Sequence, residues 1–359
     1  MRLTSLKIRR EFRNFLSALL VCAPALRAQT PTAELKVRIE SITGIALSGA
    51  LVALVDAADN VVAEGLSRVD GRRTLIGPPG TYRIRVRRIG YRPFVSADVK
   101  LPQPNADELL LRVETDRVVL GTMVVTATYQ CGAIDQNTQA LSSIWDEIAK
   151  ALNASRLTLS DLAGVGFARK FRRQTDTRGR VLVNDSSLYP IVNQKPFGGM
   201  DAAWLASQGY VVGNEEEGWH FYGPDESVLL SDQFAATHCF RIVRDKQHKG
   251  QVGVAFAPAP RRKIADIEGT LWVDETTSEL RQIDFRYVNA GVIDRYDAGG
   301  FTHFRRMPSG AWIVDDWKIR MPQLEHVPGA ASSIDPKAGR MALNGYIEEG
   351  GGIITPAGT

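Results

Sequence analysis

The sequence is poor in the residues that most metal and redox centres use. Its 359 residues include three cysteines and five histidines. No histidine begins a His-Glu-x-x-His or His-x-x-Glu pattern, and a catalytic zinc needs three protein ligands. The Gly-x-Ser-x-Gly, Walker and Gly-x-Gly-x-x-Gly patterns are missing as well. We therefore expect no metal ion, no cofactor and no catalytic residue, which describes a protein that is not an enzyme.

The chain also lacks a long apolar run and an excess of one charge in its main body. No stretch after residue 28 has eighteen uninterrupted apolar residues, so we expect no transmembrane helix in the mature chain. The formal net charge is +4, but residues 1–28 hold six basic groups against one acid, and the remainder carries −1. A near-neutral body gives no electrostatic reason to expect nucleic acid as a partner.

The first 28 residues have the order of a secretory signal peptide. A basic stretch precedes the twelve mostly apolar residues 15–26, and Ala28 suits cleavage by its small size. Twelve residues are too few to cross a bilayer of roughly 30 Å as a helix. The sequence thus predicts export, to the periplasm or to an outer-membrane-associated position. The export route stays open, because a lipoprotein box is interrupted by Val21 and a twin-arginine signal is matched only in part by Arg9-Arg10.

Two cysteines remain once the signal, with Cys22, is removed. Cys131 and Cys239 are 108 residues apart, and a disulfide in an oxidising compartment could add about 4–5 kcal/mol by restricting the unfolded chain. The alternative is a pair of unpaired buried thiols, because spacing alone does not establish proximity.

Strand patterns fill the first part of the mature chain. Residues 35–39 and 82–87 alternate apolar and charged side chains, whereas residues 51–55 are apolar throughout. Alternation is typical of a half-buried strand, and a continuous apolar run is typical of a strand covered on both faces. Turn signals separate these runs every ten or so residues. The spacing predicts a small β-sandwich.

Four motifs follow one another in this region. They are Gly49-Ala50-Leu51-Val52, Val69-Asp70-Gly71-Arg72, Pro78-Pro79-Gly80-Thr81-Tyr82-Arg83-Ile84-Arg85-Val86 and Arg88-Ile89-Gly90-Tyr91. Together they resemble the carboxypeptidase regulatory-like domain over about residues 33–114. The resemblance implies a transthyretin-like β-sandwich that serves as an accessory domain and carries no catalytic residue.

The period of the pattern changes after Cys131. Apolar residues in 141–152 recur at helical spacing and predict an amphipathic helix of about three turns. Strand patterns return from about Val165, residues 227–230 among them, and predict one antiparallel sheet packed on this helix. Residues 269–280 resemble a hairpin of bacterial lipoprotein-carrier-like half-barrels, which implies a concave surface for an apolar ligand or a polypeptide.

The expected fold class is mainly β. An N-terminal seven-strand-type β-sandwich is followed by an α+β domain, with one helix against a curved antiparallel sheet. The expected segments are the signal peptide 1–28, the sandwich 33–125, a linker 126–137, the helix and sheet domain 138–326 and a flexible tail 327–359.

Three functions fit these features. The first is an exported, non-catalytic cell-envelope protein that binds an envelope protein, a glycan or a lipid. The second is an outer-membrane component, because residues 118–128 resemble the stretch that precedes the plug of TonB-dependent receptors. The third is a secreted hydrolase, which requires His220, His238 and His303 to converge. His238 and Cys239 do not suggest a cysteine nucleophile with its base, since neighbouring strand residues point to opposite faces.

Overall fold

The computed structural model of the chain describes residues 31–105, 107–121, 125, 128–131, 139–162, 166–191, 198–327 and 340–354. The contacts divide the chain into Met1–Pro31 and a compact unit, Thr32–Thr359. The predicted signal peptide lies outside the described residues. The described part is mainly β, as expected.

Eight strands build the N-terminal sandwich. They are β1 (Ala33–Ser41), β2 (Leu51–Val55), β3 (Val61–Leu66), β4 (Arg72–Gly77), β5 (Gly80–Arg87), β6 (Phe94–Val95), β7 (Val99–Leu101) and β8 (Leu109–Val113). One sheet has the order β4-β1-β8, and the other has the order β3-β2-β5-β6 with β7 also paired to β5. Apolar side chains of both sheets form one core. The predicted β-sandwich is therefore confirmed.

Strand β2 explains how the sandwich joins the rest of the unit. All five of its residues are buried. Val52 and Leu54 belong to the core inside the sandwich, whereas Leu51 belongs to a second core shared with the long helix described below. The continuous apolar run of β2 thus reflects cover on both faces.

Ten further strands form one large sheet outside the sandwich. They are β9 (Gln130–Cys131), β10 (Phe167–Thr175), β11 (Val181–Pro190), β14 (His238–Val243), β15 (Gln251–Pro258), β16 (Asp266–Asp274), β17 (Leu280–Val288), β18 (Gly299–Arg306), β19 (Trp312–Val327) and β20 (Arg340–Ile354). Their order is β11-β10-β20-β19-β18-β17-β16-β15-β14-β9, and every neighbouring pair is antiparallel. Strands β12 (Val211–Asn214) and β13 (Gly218–Phe221) form a separate hairpin. The predicted antiparallel sheet is confirmed.

Four α-helices accompany this sheet, where one was expected. They are α1 (Gln139–Asp161), α2 (Ala202–Gln208), α3 (Glu226–Leu229) and α4 (Asp232–Thr237), and a 3-10 helix spans Gly291–Arg295. Helix α1 is longer than the predicted helix and packs its apolar side on the sheet, with Trp145 edge-on to Phe240 at 5.4 Å between ring centroids. None of the helices in the described residues is both long and apolar enough to cross a membrane.

The strand expected at residues 227–230 is wrong. Helix α3 occupies most of this segment, because the carboxylate of Asp225 accepts the backbone N–H of Val228 at 3.0 Å and caps the helix. A short apolar run does not distinguish a strand from a buried helical turn. Capping by the preceding aspartate decides between them.

The expected flexible tail is wrong for residues 340–354. They form β20, which pairs with β19 on one side and with β10 on the other. Glycines 350–352 suggested flexibility, yet a Cβ built on Gly352 would lie 1.9 Å from the carbonyl oxygen of Asp315. These glycines therefore permit close backbone approach inside a paired strand. Residues 328–339 and 355–359 of the expected tail lie outside the described residues.

The expected boundary between two domains also needs correction. Gln130–Cys131, inside the expected linker 126–137, forms β9 at the edge of the large sheet. Residues 126–127 and 132–137 of the linker lie outside the described residues. The sandwich and the sheet each have a core, but their contacts place both in the single unit Thr32–Thr359.

A buried ion pair ties α1 to the sandwich. Nζ of Lys150 lies 2.7 Å from Oε1 of Glu147, and neither side chain is more than 1% exposed. Lys150 also donates to the carbonyl oxygen of Tyr91 at 2.9 Å. The backbone N–H of Gly90 donates to Oε2 of Glu147 at 2.6 Å. The Arg88-Ile89-Gly90-Tyr91 motif is thus one of the points where the sandwich meets the helix.

Candidate functional site

The two faces of the ten-stranded sheet carry different side chains. One face packs on α1 with apolar residues such as Phe240, Val254 and Leu271. Because successive strand residues point to opposite faces, the residues between them point away from α1. A cleft of about 680 Å³ lies among these residues. We call it the sheet cleft, and its lining includes Tyr129, Arg241, His248, Thr270, Trp272 and Asp284.

The floor of the sheet cleft is a row of four residues on adjacent strands. Arg241 pairs with Ala255, Ala255 with Thr270, and Thr270 with Asp284. Three strand spacings separate the ends of this row by about 14 Å at the backbone. The two middle side chains are small, so this register leaves an open trough with a cation at one end and an acid at the other.

The disulfide positions Tyr129, which forms the wall of the sheet cleft beside Arg241. Cys131 and Cys239 are bonded, with their Cα atoms 4.1 Å apart, and this bond joins the two-residue strand β9 to β14. Tyr129, just before β9, then lies with its ring 4.7 Å from the guanidinium carbon of Arg241. The predicted disulfide is confirmed, and its position shows how it shapes the sheet cleft.

A stacked histidine and tryptophan form another wall of the sheet cleft. The His248 ring lies parallel to the Trp272 indole at 3.9 Å. Nδ1 of His248 lies 3.0 Å from the carboxylate of Asp245, and an N–H of Gln282 donates to Nε2 of His248 at 3.1 Å. The same amide nitrogen of Gln282 donates to Asp284 at 2.6 Å. Both ring nitrogens of this histidine are therefore engaged.

Hydrogen bonds keep the Asp245 carboxylate ionised. Burial by itself raises the pKa of Asp245, but the backbone and side-chain N–H groups of His248 bring this pKa below its ordinary value. The backbone N–H of Gln247 contributes in the same direction. An ionised Asp245 holds the proton of His248 on Nδ1, which fixes the orientation of the imidazole over Trp272.

The arginines of the sheet cleft differ in their partners. Arg286 pairs with Glu268, and Arg244 pairs with Glu275 at 2.7 Å. Within the described part of the chain, Arg241 has no carboxylate partner, and its Nε is buried without a hydrogen-bond acceptor. Arg241 is thus a half-buried cation whose charge no described acid neutralises.

The three histidines of the hydrolase hypothesis lie in separate surroundings. His220 is exposed on β13, and Nδ1 of His303 pairs with Asp316 at 2.8 Å. His238 is fully buried, with Nε2 3.2 Å from Asp266. No group of three or more His, Cys, Asp or Glu side chains suited to a metal ion occurs in the described residues. The structure therefore does not bring these histidines together as a metal site.

The helix side of the sheet leaves little room for the apolar ligand or polypeptide that the half-barrel resemblance implies. Helix α1 fills that side with core side chains, and the cavity between Leu152 of α1 and Ile283 of the sheet measures only about 20 Å³. Such a volume holds about one water molecule. A ligand-sized space, the sheet cleft, lies instead on the opposite face.

The principal residues of the sheet cleft carry no strong signal in the sequence. Arg241 and Asp284 belong to ordinary alternating strands, where a charged residue usually faces solvent. The one local signal is Asp245 followed three residues later by His248 on a turn, where the aspartate accepts two backbone N–H groups. Strand register, rather than a motif, assembles the site.

No family model matches the chain, and no curated protein matches it. Among solved structures, one match is BcpA, the major pilin subunit of Bacillus cereus. It is 8% identical in sequence, with 79% of this chain and 92% of the pilin chain covered, at a TM-score of 0.19. A TM-score this low does not indicate a shared fold.

Proposed function

We propose that the chain is an exported, non-catalytic cell-envelope protein that binds a polar, carboxylate-bearing ligand in the sheet cleft. The observation that carries this proposal is the half-buried Arg241, which has no carboxylate partner among the described residues and lies at one end of an open cleft. An unpaired, partly desolvated cation is costly. A ligand carboxylate would offset that cost with charge-assisted hydrogen bonds.

The other end of the sheet cleft can accept hydrogen bonds from the same ligand. Asp284 has no Lys or Arg partner in the described chain, and Thr270 lies between it and Arg241 along the floor. Hydroxyl or amide N–H groups of a ligand could donate to these two side chains. This chemistry fits a short acidic oligosaccharide or a short peptide with a free carboxylate.

The surroundings of His248 support binding rather than catalysis. A general base needs a free nitrogen within hydrogen-bond reach of the reacting proton. Nε2 of His248 accepts an N–H of Gln282, and Nδ1 faces Asp245. The ring acts as a fixed wall over Trp272.

Export and the role of the sandwich are part of the same proposal. The signal-like residues 1–28 and a disulfide between Cys131 and Cys239 both suit an oxidising compartment outside the cytoplasm. The four motifs between Gly49 and Tyr91 support a carboxypeptidase regulatory-like domain. We propose that this domain stabilises the chain or docks it to an envelope partner.

Isothermal titration calorimetry of residues 29–359 tests the ligand site. The probes are glucuronate, trialanine and laurate, each compared with its carboxamide. We expect glucuronate or trialanine to bind more tightly than laurate. The carboxamide of the carboxylate that binds should bind at least about tenfold more weakly than that carboxylate. Hydrogen bonds to a charged group contribute about 1.5–3 kcal/mol.

Two variants complete this test. Arg241→Gln should lower the affinity for the carboxylate at least about tenfold, whereas Arg178→Gln, in the exposed β10–β11 turn, should leave it unchanged. Equal binding by Arg241→Gln and the unaltered chain would refute the proposal. So would failure of all three carboxylates, or a preference for laurate.

A further inference from the structure

A second cavity, of about 100 Å³, lies where the sandwich meets the large sheet. The sandwich side contributes residues 88–91 and Arg117. The sheet side contributes Glu279, Arg306 and the turn residues 276–277. The volume is several times the roughly 10–15 Å³ that one water molecule requires.

Three arginines line this cavity with little compensating negative charge. Arg88 and Arg117 form no ion pair with any described acid. Arg306 lies 3.7 Å from Oε1 of Glu279, but Oε2 of the same carboxylate pairs with Arg281 at 3.0 Å. Of the three arginines, only Arg306 thus pairs with a described carboxylate, and Arg281 also pairs with that carboxylate.

Partial burial of Arg88 makes this crowding costly for that side chain. Desolvation lowers the pKa of Arg88, and the nearby charges of Arg306 and Arg117 lower it further, whereas the hydroxyl of Tyr91 acts in the opposite direction. Arg88 lies over the Tyr91 ring, with 4.6 Å between its guanidinium carbon and the ring centroid. This cation–π contact offsets part of the free energy lost on desolvation of Arg88, but it leaves the net positive charge of the cavity unchanged.

Backbone contacts prevent the cavity from closing or spreading easily. A Cβ on Gly90 would lie 2.7 Å from the carbonyl oxygen of Thr277, and one on Gly49 would lie 2.1 Å from that of Gly310. Both glycines also have positive φ. The sandwich and the sheet therefore meet through backbone segments in close contact, and this contact fixes the separation of the segments that carry the arginines.

We propose that this cavity binds one small oxyanion, a phosphate or a carboxylate group, between Arg88, Arg117 and Arg306, and that the bound anion strengthens the junction of sandwich and sheet. Each arginine offers several N–H donors, and charge-assisted hydrogen bonds to an oxyanion are among the strongest in proteins. The inference is independent of the sheet cleft, which shares no residue with this cavity.

Thermal unfolding and calorimetry of residues 29–359 test the proposal. Sodium phosphate, sodium sulfate and sodium acetate are titrated separately, with sodium chloride keeping the ionic strength constant. We expect one anion to bind per protein molecule, and the midpoint temperature of unfolding to rise with the anion concentration. Stronger effects of phosphate and sulfate identify a tetrahedral oxyanion, and a stronger effect of acetate identifies a carboxylate.

Arg117→Gln distinguishes a binding site from a structural cluster. Arg117 is exposed, so the variant should fold, lose at least about tenfold in anion affinity, and equal or exceed the unaltered chain in stability without the anion. Arg88→Gln should also lose at least about tenfold in affinity. The control Arg305→Gln removes a neighbouring arginine that pairs with Asp315 outside the cavity, and it should bind normally.

The proposal is overturned if none of the three anions binds saturably beyond the effect of chloride. It is also overturned if Arg117→Gln and Arg88→Gln bind the anion as tightly as the control. A loss of anion-free stability in Arg117→Gln would show that the arginines are already compensated within the fold.

Discussion

Removal of the buried Lys150 cation should destabilise the protein strongly. All three N–H groups of its ammonium are used, by Glu147 at 2.7 Å, Asp146 at 2.9 Å and the carbonyl oxygen of Tyr91 at 2.9 Å. In Lys150→Met, the half-exposed Asp146 regains water, but Glu147 stays buried with the N–H of Gly90 as its remaining donor. Breaking a buried pair in this way costs about 3–5 kcal/mol.

The loss of folding stability in Lys150→Met should also depend on pH. Burial raises the pKa of Glu147, and Lys150 opposes that rise, so the variant should raise this pKa further. A carboxyl whose pKa is higher in the folded than in the unfolded state contributes stability below the unfolded pKa and loses it as pH rises through the folded pKa. The deficit of Lys150→Met should therefore be larger at pH 8 than at pH 5.

Urea unfolding followed by tryptophan fluorescence measures this deficit, since the chain has six tryptophans. Lys249→Met is the matched control, because Lys249 is exposed, and its free energy of unfolding should change by less than about 0.5 kcal/mol. A deficit below about 1 kcal/mol for Lys150→Met, or a deficit equal at both pH values, would refute this account of the junction.

Three further predictions concern the junction, the disulfide and a hairpin turn. Gly49→Ala should lower the free energy of unfolding by about 1–2 kcal/mol for the left-handed backbone and by about 1–3 kcal/mol more for the clash with Gly310. Gly44→Ala has open space around it and should lose only the backbone contribution. Urea unfolding measures both losses. Reduction of the disulfide should remove up to about 4–5 kcal/mol of stability and weaken carboxylate binding in the sheet cleft; an unchanged unfolding midpoint in reductant would contradict this. The backbone N–H of Arg180 holds the pKa of Asp176 below its ordinary value, so the turn stabilisation is present above the unfolded pKa and is lost as pH falls through the folded one. The Arg180 amide proton shift should follow that titration, and in Asp176→Ala it should not.

Local patterns were sufficient for most of the elements. The alternation in β1 and β5 predicted half-buried strands, and the continuous run of β2 predicted a strand covered twice. Helical spacing predicted the core of α1, although not its full extent to Asp161. These predictions succeeded because each depends on which neighbouring residues are apolar.

Predictions failed where a local pattern had two possible meanings. Glycines 350–352 are compatible with a mobile tail, and only the backbones of β10 and β19 on either side give them a packing role. The apolar residues of α3 suit a strand equally well until the cap at Asp225 is known. Strands distant in sequence resolve the first ambiguity, and the cap contact of the adjacent Asp225 resolves the second.

The sequence by itself determined the mainly β class, an amphipathic helix of about three turns and the candidate cysteine pair, because apolar periodicity and composition are local properties of a chain. The tertiary structure alone decided that Arg241 and Asp284 lie at the two ends of one row, and that Arg88, Arg117 and Arg306 share one cavity. Cross-strand register and the packing of the sandwich on the sheet bring these distant residues together. Both depend on the whole set of backbone pairings, which no single segment specifies.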